Sequence, residues 1–408
     1  MKIYKIKNQI GGRNKLSKNF LLIPFFLALM IIGLGLSGIG SIVPEMSKQF
    51  AVTPAVIGRV FLFHGLGYFI SIMIAGILGD IIQKSLLLRF GLLISALGFA
   101  GIASFQAFTP VVLSFMVMGV GLGFLDCMAN PLVTAIFTSN PGTLLNIVHA
   151  FYGLGSLSAP RLYAFLSQRQ FSWQNFYGVV TVITIIVFIL FLFPFLPKSQ
   201  EKMEFRNILK IFRFRTFWFM GAITLFYSGG VTILNGWVVS YFKERGLSVP
   251  VGAVYLSFFW FGLMVGRFVL SWVTDRIGHL QMIQLNALGG ILFATLFISL
   301  PLSAILTPTL LFLTGFMLST IIPTTLAYAV VNYPETASTA SGWVLTNNGI
   351  ATLFFPWFGG ILASLTNFRT TILLVPILLF IMLIFQWLLA GEIKKVQKNH
   401  LKTIVGDQ

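Results

Sequence analysis

Charge is what this sequence has least of. Of its 408 residues, 9% are Asp, Glu, Lys or Arg, against 57% that are hydrophobic. A water-soluble domain carries about 25% charged residues, so most of this chain must face something other than water. Acids are scarcer still, 10 against 27 bases, which leaves a net charge of +17. The single cysteine, Cys127, excludes an internal disulfide and reads as a small packing residue within a helix. There is no cysteine–histidine metal set, no His-Glu-x-x-His, no Gly-x-Ser-x-Gly and no Walker lysine motif. These gaps argue against a metalloenzyme, a serine hydrolase and an ATP-driven pump. The sequence therefore predicts no enzyme, no metal and no cofactor.

What is present is apolar sequence in runs near 20 residues. At ~1.5 Å per residue, each is long enough to cross the ~30 Å hydrocarbon core of a bilayer as a helix. Twelve such spans are expected, at 20–43, 57–78, 86–106, 110–138, 144–166, 175–196, 216–242, 251–274, 281–300, 306–330, 337–362 and 370–390. The first follows a basic stretch, as a signal peptide would. It is long for a signal h-region and no small-residue cleavage site stands out, so it reads as a span.

The basic excess gives orientation. Lys2, Lys5, Lys7, Arg13, Lys15 and Lys18 precede the first span, and Lys198, Lys202, Arg206, Lys210, Arg213 and Arg215 lie between the sixth and seventh. Lys394, Lys395, Lys398 and Lys402 follow the last, and Lys84, Arg89 and Arg276 fall in even-to-odd loops. With twelve alternating spans all of these share one side. The other side holds Lys48, Arg59, Arg169, Lys243, Arg245 and Arg369. The positive-inside rule then places both termini in the cytoplasm of a multi-pass inner-membrane protein. Basicity so arranged serves orientation and contact with anionic lipid, not nucleic acid.

The longest polar connection, "PKSQEKMEFRNILKIFRFR" at 197–215, divides the spans six and six. Domains are expected at 1–196 and 216–408, joined by this basic linker. The halves share a feature at the end of their second spans, "GILGDIIQK" at 76–84 and "SWVTDRIGH" at 271–279. Asp80 and Asp275 are 195 positions apart, as are Gly67 and Gly262. Together these features resemble the major facilitator superfamily. Its signature after the second span reads Gly-x-Leu-x-Asp-(Arg)-x-Gly-(Arg/Lys)-(Arg/Lys). Gly76, Leu78, Asp80 and Lys84 match it, Ile81, Gln83 and Ser85 depart, and the second copy keeps Asp275, Arg276 and Gly278. The resemblance implies an all-α fold of twelve helices in two pseudo-symmetric six-helix bundles that rock about a solute site at mid-membrane. A cytoplasmic gate is expected from Asp80, Lys84, Arg267, Asp275 and Arg276, because an aspartate at a helix end can pair with a basic loop and a helix N-terminus of the other half.

Few ionisable residues fall within spans: His64, Asp126, His149, Arg161 and Arg267. A charge at that depth costs at least ~2.5–3.5 kcal/mol, so each needs a cavity, a partner or a neutral form. Gly119, Gly123, Asp126 and Asn130 fall on one helical stripe, and the fifth span adds Asn146, His149, Gly153, Ser156 and Pro160. "GLGFLDCMANPLVT" and "LLNIVHAFYGLGSLSAP" are similar to the fucose–galactose–proton symporter branch. That branch has an acid followed by x-x-x-Asn-Pro in span four and Asn-x-x-(His/Gln)-x-Phe-x-x-x-Gly in span five. Asp126, Asn130, Pro131, Asn146, His149, Phe151 and Gly155 match. The resemblance implies sugar binding and proton coupling at Asp126, with His149 and Tyr152 at sugar-contacting positions. Departures are the missing acid in span one, Val231 where relatives carry a span-seven glutamate, and Arg161 after Pro160.

In the second half, Tyr227, Asn235 and Trp237 in span seven and Trp343, Asn347 and Asn348 in span eleven pair flat aromatics with amides, which suits a sugar ring. Such aromatics also serve packing, and adjacent Asn347 and Asn348 lie ~100° apart and cannot both face one cavity squarely. Arg161, nearer the outer end, reads as a snorkel to the headgroups, with an anion contact beside His149 as the alternative. The expected function is a secondary transporter of a small polar solute, a monosaccharide or related compound, coupled to protons and acting as a monomer in the bilayer. The alternatives are an organic-anion carrier or exporter of the same superfamily, and a non-transport receptor.

Overall fold

With no water in a hydrocarbon layer to satisfy backbone N–H and C=O groups, apolar runs of this length must close their hydrogen bonds internally as helices. The computed structural model describes residues 22–79, 81–136, 141–192, 213–332 and 337–406. Asp80 and most of the basic linker lie outside the described residues, as do the side chains of Asn146 and Asp275. The helices are α1 (Leu22–Phe50), α2 (Pro54–Ile57), α3 (Arg59–Leu78), α4 (Lys84–Ser104), α5 (Phe108–Ile136), α6 (Pro141–Gln168) and α7 (Trp173–Leu192). They continue as α8 (Arg215–Glu244), α9 (Val249–Ile277), α10 (His279–Ser299), α11 (Leu306–Leu318), α12 (Ile321–Asn332), α13 (Ala337–Leu365) and α14 (Phe368–Gly406). The pairs α2–α3 and α11–α12 each make one crossing. Among the described residues eleven crossings are long and apolar enough to span a membrane. The more polar α6, 28 residues long, supplies the twelfth.

The helices pack as two bundles with matching internal contacts. In the first, α1 packs on α6, α3 on α5, and α4 on α5 and α7; in the second, α8 packs on α13, α9 on α11, and α10 on α11 and α14. Glycines set the closest crossings, and they repeat. A Cβ at Gly67 would strike the Met116 carbonyl and one at Gly119 the His64 carbonyl, fixing α3 against α5. Gly262 meets Phe312 and Gly315 meets Phe259 in the same way, fixing α9 against α11. The internal repeat thus survives as a shared backbone approach, which only a residue without a Cβ permits. Two helices carry exposed apolar stripes suited to lipid: Leu86, Phe90, Leu93 and Leu97 on α4, and Ile377, Phe380, Ile384 and Trp387 on α14.

The bundles meet through α6 with α9, α3 and α2 with α13, and α1 with α8. Helix α1 starts and α14 ends on one side of the layer, here the termini face. Among the described residues, side-chain contacts between the bundles gather at the middle and the opposite, far face. There Asn235 Nδ2 donates to Leu36 O (3.3 Å), Lys243 Nζ to Pro44 O (3.2 Å) and Ala55 N to Ser364 Oγ (2.7 Å). Gly40 admits the Asn235 carbonyl and Gly360 that of Pro54. Towards the termini face, a Cβ at Gly76 or Gly342 would meet nothing within 4 Å among the described residues. Among the described residues, the hydrogen bonds that join the bundles lie at the far face.

Candidate functional site

The cleft ends on polar side chains from both bundles. Counted at ~1.5 Å per residue from the helix ends on the termini face, Tyr68, Asp126, His149, Tyr152, Tyr227, Arg267 and Asn348 all lie ~12–18 Å deep. They form one level. Asp126 is partly exposed, and its Oδ2 accepts a 2.5 Å hydrogen bond from the Tyr68 hydroxyl. That is the range of a charge-assisted O–H···O⁻ bond. The two meet because Gly119 and Gly123 let α5 lie directly on α3, with Gly123 against Tyr68 O and Ser71. One turn on, His149 Nε2 is 3.1 Å from Asn130 Oδ1, joining α6 to α5. Asn130 Nδ2 in turn reaches the Asp126 carbonyl at 3.5 Å. Pro131 follows inside the helix and has no N–H to donate to the Cys127 carbonyl, so the helix runs on with one ladder bond missing beside the carboxylate.

Helix α6 is set by close packing on α1. Gly33 admits the Tyr152 carbonyl, Gly155 that of Met30, and Phe26 stacks on Phe151 at 4.3 Å. His149 and Tyr152 are thereby turned to the cleft. Across it, Trp260, Met264 and Arg267 stand at i, i+4 and i+7 on α9. Trp260 meets Tyr152 edge-on at 6.4 Å, and Met264 packs over Gly153. The Arg267 guanidinium, one turn further, lies close enough for its charge to act on Tyr152, Tyr227 and His149. Asp126 acts on Tyr152 and His149 from the other side. The arrangement can hold a small solute between a carboxylate and a guanidinium, with phenols, an imidazole and an amide as hydrogen-bonding groups. Among the described residues no cluster of three His, Cys, Asp or Glu could hold a metal ion.

Several residues expected at this site stand elsewhere. Asn235 lies ~30 Å from the termini face, and its amide clamps the far seal between Leu36 O and the Trp260 indole N–H (3.1 Å). Trp237 is fully buried, donates to Pro356 O (2.8 Å) and borders a separate far-face pocket of about 320 Å³ with Pro44, Lys243 and Glu244. Trp343 stacks on Phe217 at 5.1 Å and donates to its carbonyl (3.1 Å), while Asn347 is buried beside Gly221 of α8. Its neighbour Asn348, turned by one position, stays partly exposed. Arg161 is exposed near the far end of α6. Its Nε donates to Ser257 Oγ of the other bundle (2.9 Å) and its guanidinium lies 5.6 Å from the Phe258 ring centre, a far-seal clasp.

Of the residues expected at the gate, three have described side chains. Lys84 is buried at the start of α4, Arg276 lies over Trp272 at 3.7 Å, and Arg267 turns to the cleft. Asp80 and the Asp275 side chain lie outside the described residues. Tyr68 is the residue sequence reasoning missed. Its signal was the "HGLGY" stretch, where Gly67 shares the 195-residue offset with Gly262.

Comparisons with known proteins agree with this architecture. The chain is 26% identical over 270 residues to Protein TsgA of Escherichia coli O157:H7, covering 65% of this chain and 68% of that one. The solved structure of the nucleoside transporter NupG superposes with a TM-score of 0.77 at 16% identity, over 92% of this chain and 99% of that one. An inward-facing bacterial homolog of the human lysosomal transporter Spinster gives 0.78 at 14%, covering 93% and 98%. The E. coli fucose:proton symporter FucP gives 0.64 at 19%, covering 91% and 99%. These likenesses bear on the fold alone. The family profile of the Major Facilitator Superfamily matches residues 25–356, the greater part of both bundles. The chain belongs to the Major Facilitator Superfamily of membrane transporters.

Proposed function

We propose that this chain is a secondary active transporter that carries a small hydroxylated solute, a monosaccharide or a close relative, by alternating access with a proton as the coupling ion. One observation carries the reading: a partly exposed carboxylate, Asp126, held by Tyr68 at the blind end of a cleft between two bundles. A carboxylate kept at mid-membrane at such cost is there to be used. Presented alternately to the two faces, it binds a proton on one side and releases it on the other. Asn130, His149, Tyr152, Tyr227 and Asn348 supply donors and acceptors for hydroxyls and a flat face for a ring. The fold neighbours include carriers of hydroxylated solutes, among them a nucleoside transporter and a D-xylose–proton symporter.

The positive-inside rule makes the termini face cytoplasmic, in an inner membrane, with the polar connection at 197–215 joining domains 1–196 and 216–408. Closing that face would bring the ends of α3 and α9 together, where Asp80, Lys84, Asp275 and Arg276 form the gate. The test is uptake of labelled monosaccharides into proteoliposomes of the purified monomer. Accumulation under an imposed proton gradient, and equilibration without one, is the expected result. Uptake indifferent to the gradient makes the protein a facilitator or a carrier coupled to another ion.

A further inference from the structure

Arg267 is the one cleft residue that the proposed sugar site leaves without work. A neutral sugar needs no cation, and an arginine at mid-membrane is costly unless something offsets its charge. Its Nε is buried without a hydrogen-bond partner, and Arg267 makes no ion pair among the described residues. Asp126 does not neutralise it by contact, since no ion pair joins the two among the described residues. The guanidinium charge therefore acts on Tyr152 and Tyr227, while its buried Nε has no hydrogen-bond partner among the described residues.

We infer that Arg267 takes the carboxylate of an acidic solute, a hydroxylated monocarboxylate of sugar size, and that Asp126 opposite gains a proton as the anion binds. The inference rests on the reading of the cleft as a solute site and narrows its substrate class. A single guanidinium offers a planar fork that matches one carboxylate with two parallel hydrogen bonds. A doubly charged phosphate would place more negative charge beside Asp126 than one arginine offsets. The remaining groups at that level, Tyr152, Tyr227, His149 and Asn348, can meet hydroxyls.

Charge balance links the two ions. With Asp126 ionised and Arg267 charged, the empty cleft is neutral; a bound monoanion makes it −1, and a proton on Asp126 restores zero. The groups that act at the level of Asp126 are Tyr68 from α3, His149 and Tyr152 from α6, and Arg267 from α9, while Lys84, whose charge acts on Cys127, is the first residue of α4 and stands at the membrane edge outside that level. Of these, only Arg267 lies across the cleft. One anion and one proton then cross together without net charge.

The test compares matched pairs, D-gluconate against D-glucose and D-galacturonate against D-galactose, by thermal shift of the purified protein and by proteoliposome uptake. The acids should stabilise wild type and accumulate with a proton gradient, and a potassium–valinomycin potential should leave that uptake unchanged. Arg267→Gln should weaken the acids roughly 10- to 100-fold, the worth of a charged hydrogen-bonded contact, and the neutral sugars less. Arg267→Lys, which keeps the charge and loses the fork, should fall between. It serves as the readout if the glutamine variant does not fold. Neutral sugars bound as well as or better than the acids, with equal losses for both in the variants, overturn the inference and leave the sugar reading standing. Uptake of the acids that responds to the potential overturns the one-to-one balance. Binding of neither class by wild type rejects the solute reading itself, and this inference with it.

Discussion

Gly40 is the point at which a single methyl group should change which face of this transporter is open. It lies on α1 where that helix crosses α8, and a Cβ there would overlap the Asn235 carbonyl and lie 3.1 Å from the Cα of Gly236. Both obstacles are backbone and belong to the other bundle, so no side chain can rotate away. Overpacking of this kind costs about 1–3 kcal/mol. In this case the cost is specific to the far-sealed state, because the contact exists only while the bundles meet there. Gly40→Ala should therefore shift the balance of far-sealed to far-open molecules by roughly 5- to 150-fold, at about 1.4 kcal/mol per factor of ten. Replacing the lone Cys127 by Ser gives a background for reporter cysteines. Ser240→Cys, at a buried far-face position, should label faster with an impermeant reagent, and Leu345→Cys, exposed near the termini face, more slowly. Gly38→Ala is the control: its Cβ would meet Phe176 at 2.5 Å within the same bundle. It should lower Tm without moving either label. Unchanged labelling in Gly40→Ala would mean that the α1–α8 crossing is not part of the seal.

Two further outcomes follow from the same geometry. Tyr68→Phe removes the hydrogen bond to Asp126, worth about 1.5–3 kcal/mol to a charged acceptor, and should cut proton-driven uptake at least about tenfold in a protein that still folds; wild-type uptake would make the pair incidental. Arg161→Gln breaks the clasp to Ser257 and should raise far-side labelling of Ser240→Cys while altering affinity for acidic and neutral ligands alike; a loss confined to acids would return Arg161 to an anion site.

The parts legible in the sequence were those that depend on one helix or on the repeat. Twelve spans follow from run length, and the two-bundle fold from the 195-residue offset of Gly67 and Gly262, which reappears as matching crossings of α3 on α5 and α9 on α11. The stripe of Gly119, Gly123, Asp126 and Asn130 could be drawn on a helical wheel. What faced the stripe could not, so Tyr68 went unnoticed: its partnership with Asp126 depends on the depth at which α3 crosses α5. Asn235 and Trp237 illustrate a second limit. A polar or aromatic residue in a span announces a contact but not whether the contact is solute, seal or neighbouring helix, and that depends on how two bundles meet. Arg267 was drawn to the gate by its nearness in sequence to Asp275. Eight residues of helix separate the two by ~12 Å along the axis, enough to carry the arginine from the membrane edge to the level of the carboxylate.

The central claim is that Asp126 couples solute movement to protons, and Asp126→Asn tests it most directly. The amide keeps the shape of the protonated acid and can still receive the Tyr68 hydroxyl, so the fold and the solute site should persist. In proteoliposomes the variant should exchange solute by counterflow at a rate near that of wild type. It should also fail to accumulate solute under an imposed pH gradient. Accumulation equal to that of wild type would contradict the account and leave Asp126 as a ligand of the solute alone.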